Sequence, residues 1–120
     1  MRTKRRILAV DDQADMCDLI TAILEGYEVV SAHSKAEALR RAARNLFDLY
    51  LLDYHLPDGT GLELCLLIRN IDQVTPILFV TSSDSLTKEQ IAAAGAHGLV
   101  SKDDLPDGLL RSIYCVLEQR

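Results

Sequence analysis

The sequence predicts a doubly wound α/β fold, in which helices cover both faces of a parallel β-sheet. Apolar runs at residues 7–10, 49–52, 77–80 and 99–100 are short and continuous, and this pattern is typical of strands that are buried on both faces. Segments with apolar residues at helical spacing separate the runs, so strands and helices alternate. Right-handed crossovers between parallel strands then place helices on both sides of the sheet.

The first half of the chain is predicted to contain three strands and two helices. The strands are placed at residues 7–10, 27–32 and 46–53, and the helices at 14–25 and 35–44. Gly26 is expected to end the first helix, because glycine is common just past a helix C-terminus. Ser34 and Glu37 match a capping box, which predicts the start of the second helix.

The second half is predicted to contain two strands and three helices. A turn signal at 55–59 precedes a helix over 60–70, Pro76 begins the fourth strand, and the fifth strand covers 98–101. Thr87 and Gln90 form a second capping box, for a short helix that ends at Gly95. Pro106 is expected at the first position of the last helix, with Leu105 at the cap position.

Length and composition predict one folded domain over residues 1–120. The formal net charge of −5 argues against nucleic acid as a direct ligand. No apolar run approaches the roughly 20 residues that span a bilayer, and no signal-peptide core follows the N-terminal charges. We therefore expect a cytoplasmic protein without membrane contact.

Cys17, Cys65 and Cys115 form no CxxC pair. We expect buried or half-buried thiols on helices.

Polar residues follow four of the predicted strands. Asp11 and Asp12 follow the first strand, Asp53 follows the third, Thr81 ends the fourth and Lys102 follows the fifth. Ligand sites of open α/β sheets lie beyond the carboxyl ends of the strands. We therefore expect three carboxylates, one hydroxyl and one ammonium group to converge there.

Three adjacent carboxylates require a cation, since each pair at about 4 Å costs on the order of 4 kcal/mol at an effective dielectric near 20. Carboxylate, carbonyl and water oxygens suit Mg²⁺, which often pairs with phosphate groups. With part of its charge neutralised, Asp53 could attack an activated phosphoryl group as a nucleophile. Lys102 and Thr81 would then contact the phosphoryl oxygens.

The chain resembles the receiver domains of two-component response regulators from about residue 6 to 118. The matching motifs are Val10-Asp11-Asp12, Leu52-Asp53, the turn Leu56-Pro57-Asp58-Gly59 with Gly61, Val80-Thr81-Ser82, Gly95-Ala96 and Lys102. The resemblance implies a flavodoxin-like fold with strand order 2-1-3-4-5 and five helices. It also implies a signalling domain, rather than an enzyme, that accepts a phosphoryl group on Asp53 from a histidine kinase or a histidine phosphotransfer protein.

The resemblance also implies roles for the site residues. Asp12 and Asp53 would bind Mg²⁺ directly with the backbone carbonyl of His55, and Asp11 would act partly through water. Thr81 and Lys102 would hold the phosphoryl oxygens. Phosphorylation would change the surface around the fourth helix, fifth strand and fifth helix, which would then contact a downstream effector domain or protein, or a second copy in a homodimer.

Three positions depart from the family's usual pattern. Leu99 stands where many receivers carry a Tyr or Phe that moves inward on activation. Asp103 stands where a proline, often after a cis peptide bond, is common. Gln13 replaces a frequent third acidic residue.

The three histidines have different expected positions. We expect His33 and His97 to be solvated loop residues. His55 lies two places after Asp53, at a position that tunes hydrolysis of the acyl phosphate in receivers, and Ser83 lies two places after Thr81.

Two other functions are compatible with the sequence. A receiver-like domain could serve as a constitutive docking or dimerisation surface without cycling phosphate, as Leu99 and the missing proline suggest. A small phosphatase could use Asp53 as a covalent nucleophile, but haloacid-dehalogenase-like enzymes place a second Asp where this chain has His55.

Overall fold

A five-stranded parallel sheet forms the centre of the molecule. The computed structural model describes residues 3–118. The strands are β1 (Arg6–Val10), β2 (Glu28–Ala32), β3 (Leu49–Leu52), β6 (Ile77–Thr81) and β7 (Gly98–Ser101), and a separate antiparallel hairpin consists of β4 (His55–Leu56) and β5 (Gly59–Thr60). The sheet order is β2-β1-β3-β6-β7. Counted without the hairpin, this is the predicted order 2-1-3-4-5.

Within residues 3–118, five α-helices cover the two faces of the sheet, as predicted. They are α1 (Ala14–Ile23), α2 (Lys35–Ala42), α3 (Gly61–Ile71), α4 (Lys88–Ala93) and α5 (Asp107–Ile113). Buried residues of α2, α3 and α4 pack on one face, and those of α1 and α5 on the other. A 3₁₀ turn covers Lys102–Asp104, and a π-helical segment covers Tyr114–Glu118. The fold is the flavodoxin-like doubly wound sheet.

The central strands contribute to both hydrophobic cores. Leu8 and Tyr50 point to the α2–α4 face, whereas Ile7 and Leu51 point to the α1–α5 face, and all four are essentially inaccessible to solvent. Burial of one large aliphatic side chain stabilises a fold by about 1.5–3 kcal/mol. This two-sided burial explains why the strands are continuous apolar runs.

The helix starts follow the capping signals with one difference. Thr87 and Gln90 form a complete capping box at α4, and Thr60 and Glu63 form another at α3 that the sequence analysis did not identify. At α2, the Ser34 hydroxyl accepts a hydrogen bond from the Glu37 N–H. The Glu37 carboxylate instead accepts a hydrogen bond from the N–H of His33, one residue before the cap.

Several predicted boundaries were wrong by one to three residues. The helix α1 ends at Ile23 with Leu24 as its cap, and α2 ends at Ala42. The chain then turns at Asn45, where φ is 55°. The third strand therefore begins at Leu49, rather than at residue 46.

The start of α5 also differs from the prediction. Pro106 is the N-cap residue, and the first helical residue is Asp107. Within residues 3–118, the cis peptide bond is Leu105–Pro106, so the Lys102–Asp103 bond is trans.

Two of the three cysteines are buried, as predicted. Cys17 and Cys65 are buried, but Cys115 is exposed, so the prediction for that residue was wrong. None of the helices within residues 3–118 has the length and apolarity that are needed to cross a membrane.

Candidate functional site

Three carboxylates lie together at the carboxyl ends of the neighbouring strands β1 and β3. Asp11 and Asp12 follow β1, and Asp53 follows β3. Val10 and Leu52 are partners in the parallel register, which places the residues after them side by side. One oxygen from each of the three carboxylates lies within 4.8 Å of the others. The predicted acidic cluster is therefore present.

Asp11 is the most deeply buried member of this cluster, with 1% of its surface exposed. Its Oδ1 atom accepts a hydrogen bond from the Gln13 N–H at 2.9 Å. Its Oδ2 atom is 2.8 Å from the Lys102 Nζ atom, but it accepts no well-aligned hydrogen bond. Burial raises the pKa of Asp11, although the Lys102 ammonium opposes this effect. The Lys102 ammonium is thus the cation that this buried carboxylate oxygen contacts.

Asp53 is held by contacts to its backbone and side chain. Its N–H donates to the Val10 carbonyl at 2.9 Å, and its Oδ1 atom accepts from the Tyr54 N–H at 2.8 Å. The other oxygen, Oδ2, lies 3.2 Å from Lys102 Nζ. With 7% of its surface exposed, Asp53 is buried.

Gly61 allows the loop after Asp53 to fold back closely on the end of β3. Its N–H donates to the Tyr54 carbonyl at 2.6 Å. A Cβ atom at position 61 would collide with the backbone carbonyl of Asp53. Glycine is required here by this close approach of two backbone segments.

Lys102 bridges the two loops that carry the buried carboxylates. It is the first residue after β7, and its Nζ atom contacts both Asp11 and Asp53. Burial lowers the pKa of this ammonium group, but the close contacts with the Asp11 and Asp53 carboxylates and their negative charges outweigh burial and raise the pKa overall. Lys102 therefore remains charged and partly neutralises the cluster.

Thr81 and His55, the other two predicted site residues, differ in exposure. Thr81 ends β6 and is 3% exposed, and its Oγ1 atom accepts a hydrogen bond from the Ser83 N–H at 3.2 Å. That bond leaves the hydroxyl hydrogen available to donate. His55 is exposed, and its ring packs edge-on against Tyr54 with centroids 4.8 Å apart.

The other two histidines occupy opposite ends of the sheet. His33 is exposed, as predicted, but its Nδ1 atom lies 3.0 Å from the backbone carbonyl oxygen of Asp11. Sequence reasoning missed this contact, although His33 directly follows β2, the neighbour of β1 in the predicted order. The His97 Nδ1 atom accepts a hydrogen bond from the N–H of Ile77, which begins β6. His97 therefore lies at the other end of the sheet from the acidic cluster.

A comparison with protein families matches residues 7–114 to the response regulator receiver domain. The chain belongs to the response regulator receiver domain family. Receiver domains of this family are signalling domains. The acidic pocket of this receiver domain, formed by Asp11, Asp12 and Asp53, is compatible with Mg²⁺, because a hard cation prefers carboxylate oxygens.

Individual relatives agree with this assignment. The receiver domain is 34% identical over 119 residues to the uncharacterized transcriptional regulatory protein YkoG of Bacillus subtilis. The match covers 97% of this chain and 52% of YkoG. It is 36% identical over 118 residues to the response regulator MprA of Mycobacterium leprae, covering 95% and 51% of the two chains. The chain thus spans about half the length of these curated relatives.

The solved structure of the chemotaxis protein CheY4 from Vibrio cholerae has the same fold. It superposes with a TM-score of 0.87 at 33% identity, and the match covers 96% of this chain and 100% of CheY4. The likeness extends over the whole sheet and its helices, so it supports the fold as well as the family.

An apolar cavity of about 450 Å³ lies between α4 and β7 of the receiver domain. Its walls include Leu86, Ile91, Ala92, Ala96 and Leu99. Leu99 is 42% exposed and stands at the position where many receivers carry an aromatic ring. In this chain an aliphatic side chain therefore borders the cavity.

Proposed function

We propose that this receiver domain accepts a phosphoryl group on Asp53 from a histidine kinase or a histidine phosphotransfer protein, in a reaction that depends on Mg²⁺. The observation that carries the proposal is the contact of one ammonium group, that of Lys102, with the carboxylates of both Asp11 and Asp53. Lys102 is placed to contact a phosphoryl oxygen at Asp53, while the remaining negative charge of the carboxylates would be offset by a divalent cation. Family membership supports the same function.

In the proposed reaction, the Oδ2 atom of Asp53 attacks the phosphorus atom of a phosphohistidine. A P–O bond forms, the P–N bond breaks, and the electron pair of that bond leaves with the imidazole nitrogen of the donor. Lys102 already contacts Oδ2 at 3.2 Å and would move onto a phosphoryl oxygen. The Thr81 hydroxyl hydrogen would donate to another oxygen, since the Ser83 N–H occupies only an acceptor site of Oγ1.

A divalent cation fits the donor set of this pocket. Asp12 and Asp53 would hold Mg²⁺ directly, with the backbone carbonyl of His55, and Asp11 would act partly through water. The buried Oδ2 atom of Asp11 without an aligned hydrogen bond supports this assignment. When bound, Mg²⁺ supplies positive charge that offsets the charges of the carboxylates and of the phosphoryl oxygens.

The proposed output is a change of the surface formed by α4, β7 and α5. Thr81 ends β6, and its register partner Ser101 ends β7 directly before Lys102. Movement of Thr81 or Lys102 toward a phosphoryl group would therefore act on β7 and on the apolar cavity beside Leu99. We propose that this surface contacts a downstream effector domain or protein, or a second copy in a homodimer. We also propose that the domain acts in the cytoplasm, without direct binding to nucleic acid or membrane.

The test is the intact mass of the protein after treatment with acetyl phosphate and Mg²⁺. One added phosphoryl group is expected, and it should be absent in Asp53→Asn and after addition of EDTA. A folded protein that gains no phosphoryl group from acetyl phosphate or from a kinase donor would refute the proposal. It would favour the phosphate-independent docking domain, for which the cavity beside Leu99 offers a surface.

A small phosphatase is the other alternative that this experiment addresses. A phosphatase would release phosphate from many equivalents of a monoester substrate, whereas a phosphoacceptor stops near one phosphoryl group per chain. His55 is exposed and packs on Tyr54, so it does not replace the acid–base Asp of such phosphatases within the pocket.

A further inference from the structure

The N-terminus of α2 is hydrogen-bonded to both loops that carry the acidic residues. On one side, Asp58 lies in the turn of the hairpin that follows Asp53. Its Oδ1 and Oδ2 atoms accept hydrogen bonds from the backbone N–H groups of Lys35, at 2.7 Å, and Ala36, at 2.9 Å. On the other side, the residue before the cap of α2 contacts the loop after β1, because His33 Nδ1 is 3.0 Å from the Asp11 carbonyl oxygen.

His33 is fixed through its backbone as well as its ring. Its N–H donates to the Oε1 atom of Glu37, in the first turn of α2, at 2.8 Å. The contact with Asp11 requires a hydrogen on Nδ1, since a carbonyl oxygen only accepts. The Asp11 N–H also donates to the carbonyl of Ala32 at 3.0 Å. The end of β2 and the residue after it therefore bind both backbone polar groups of Asp11.

These bonds hold the backbone of Asp11, which directly precedes the exposed Asp12. The Asp11 carbonyl belongs to the peptide plane that joins Asp11 to Asp12. If that plane rotated, the Cα–Cβ bond of Asp12 would change direction, and its carboxylate would move relative to Asp53. Metal sites lose affinity when the groups that orient their ligands are removed.

Asp58 caps two N–H groups of α2 that Ser34 does not bind, and it does so from a distant segment of the chain. The helix already has its own N-cap, because the Ser34 hydroxyl accepts the N–H of Glu37 at 3.1 Å. Asp58 binds the two N–H groups that follow Ser34, from a position 22 or 23 residues away in the sequence. These bonds lower the pKa of the Asp58 carboxylate. They connect the hairpin after the acceptor residue to the helix that also holds His33.

We propose that His33 and Asp58 are positioning residues, which act through the N-terminus of α2 to hold Asp12 and Asp53 at the separation that a divalent cation requires. This inference rests on the proposed function, because it concerns the same pocket. Neither residue touches the reacting atoms. These hydrogen bonds connect the β1–α1 loop to the β3–α3 loop through the N-terminus of α2, outside the pocket.

The first experiment measures the affinity of the full chain for Mg²⁺ alone, by isothermal titration calorimetry or by NMR chemical shifts. His33→Leu removes the imidazole donor to the Asp11 carbonyl and leaves the weak Cys17 Sγ–H contact at 3.6 Å. It is expected to weaken Mg²⁺ binding by roughly tenfold. His33→Asn is expected to restore most of the affinity, because its amide can present an N–H close to the position of Nδ1. The free energy of unfolding in EDTA separates this effect from a change in stability.

The second experiment tests Asp58 against a matched change of charge. Asp58→Ala and Glu25→Ala each remove one negative charge from an exposed side chain, but Glu25 precedes Gly26 beyond the end of α1. Asp58→Ala is expected to weaken Mg²⁺ binding more than Glu25→Ala does. The double variant His33→Leu/Asp58→Ala should lose less affinity than the sum of the single losses, since both residues act through one helix terminus.

Each outcome decides between the positioning role and a purely structural one. Loss of Mg²⁺ affinity in His33→Leu with recovery in His33→Asn supports the proposal. Unchanged affinity in His33→Leu, failure of His33→Asn to recover, or additive losses in the double variant would overturn it. If the unmodified chain binds no Mg²⁺, the proposed function fails as well, so failure of this inference alone requires normal binding by the unmodified chain.

Discussion

The ammonium group of Lys102 lies 2.8 Å from the Oδ2 atom of the buried Asp11 carboxylate. The two residues belong to different loops, one after β7 and one after β1, so the ion pair joins opposite sides of the pocket. Only 2% of the Asp11 side chain and 12% of the Lys102 side chain are exposed. Removal of either partner therefore leaves a charge with little access to solvent.

Lys102→Met is expected to destabilise the protein by about 3 kcal/mol at pH 7 in EDTA, since it leaves the Asp11 carboxylate buried without a cation. Because burial raises the pKa of Asp11, its ionised form opposes folding, and lowering the pH toward the range in which Asp11 protonates should recover stability. Asp11→Asn in the Lys102→Met background should also recover it. Urea unfolding of the single and double variants is the measurement, and equal stabilities of the two variants would contradict this account.

Gly61→Ala is expected to destabilise the protein by about 3 kcal/mol, because the added methyl group overlaps the Asp53 carbonyl and the loop must shift. Gly26→Ala is the matched control. A Cβ atom there meets nothing within 4 Å, so the change should be within about 0.5 kcal/mol. Thermal unfolding in EDTA compares the two variants. Equal stabilities would show that the loop after β3 tolerates the shift.

Asp72 is expected to contribute stability that is lost at acidic pH. Its Oδ1 atom accepts the N–H groups of Val74, at 3.1 Å, and Thr75, at 3.0 Å, and the buried Tyr50 hydroxyl lies 3.4 Å from Oδ2. Burial raises the pKa of Asp72, but these donors outweigh burial and lower it overall. The stabilisation is therefore present above the unfolded pKa of about 3.9 and is lost as the pH falls through the lower folded value.

Asp72→Asn should therefore cost about 1–2 kcal/mol between pH 5 and 7, and the difference from the unmodified protein should shrink below pH 4. Urea unfolding across pH 3–7 measures this dependence. Glu25→Gln, at an exposed position after α1, serves as the control and should show no comparable difference. A gap that stays constant down to pH 3 would assign the effect of Asp72→Asn to shape rather than charge.

Much of the pocket could be predicted because it follows from topology. Once the apolar runs are assigned to parallel strands, the residues after β1, β3 and β7 must meet at one edge of the sheet. Asp11, Asp53 and Lys102 occur at these positions, and the structure places them in contact. No local sequence signal beyond the strand ends was needed.

The contacts that organise the loops could not be predicted in the same way. The capping rule for Ser34 and Glu37 describes bonds within one turn, but the Glu37 carboxylate binds His33, whose ring binds Asp11. The sequence around His33 does not distinguish it from a solvated loop histidine. The end of α2 at Ala42 and the positive φ of Asn45 are likewise local backbone features that apolar spacing does not reveal.

Mg²⁺ is expected to raise the melting temperature of this receiver domain and not that of Asp12→Asn, since binding to the folded state adds stability by mass action. At ten times the dissociation constant the gain is about 1.4 kcal/mol. Asp15→Asn is the matched control, because Asp15 is also exposed and acidic but lies in the first turn of α1. It should retain the response to Mg²⁺. An equal response in both variants would move the metal away from Asp12, whereas loss in Asp12→Asn alone would assign the exposed carboxylate to the cation.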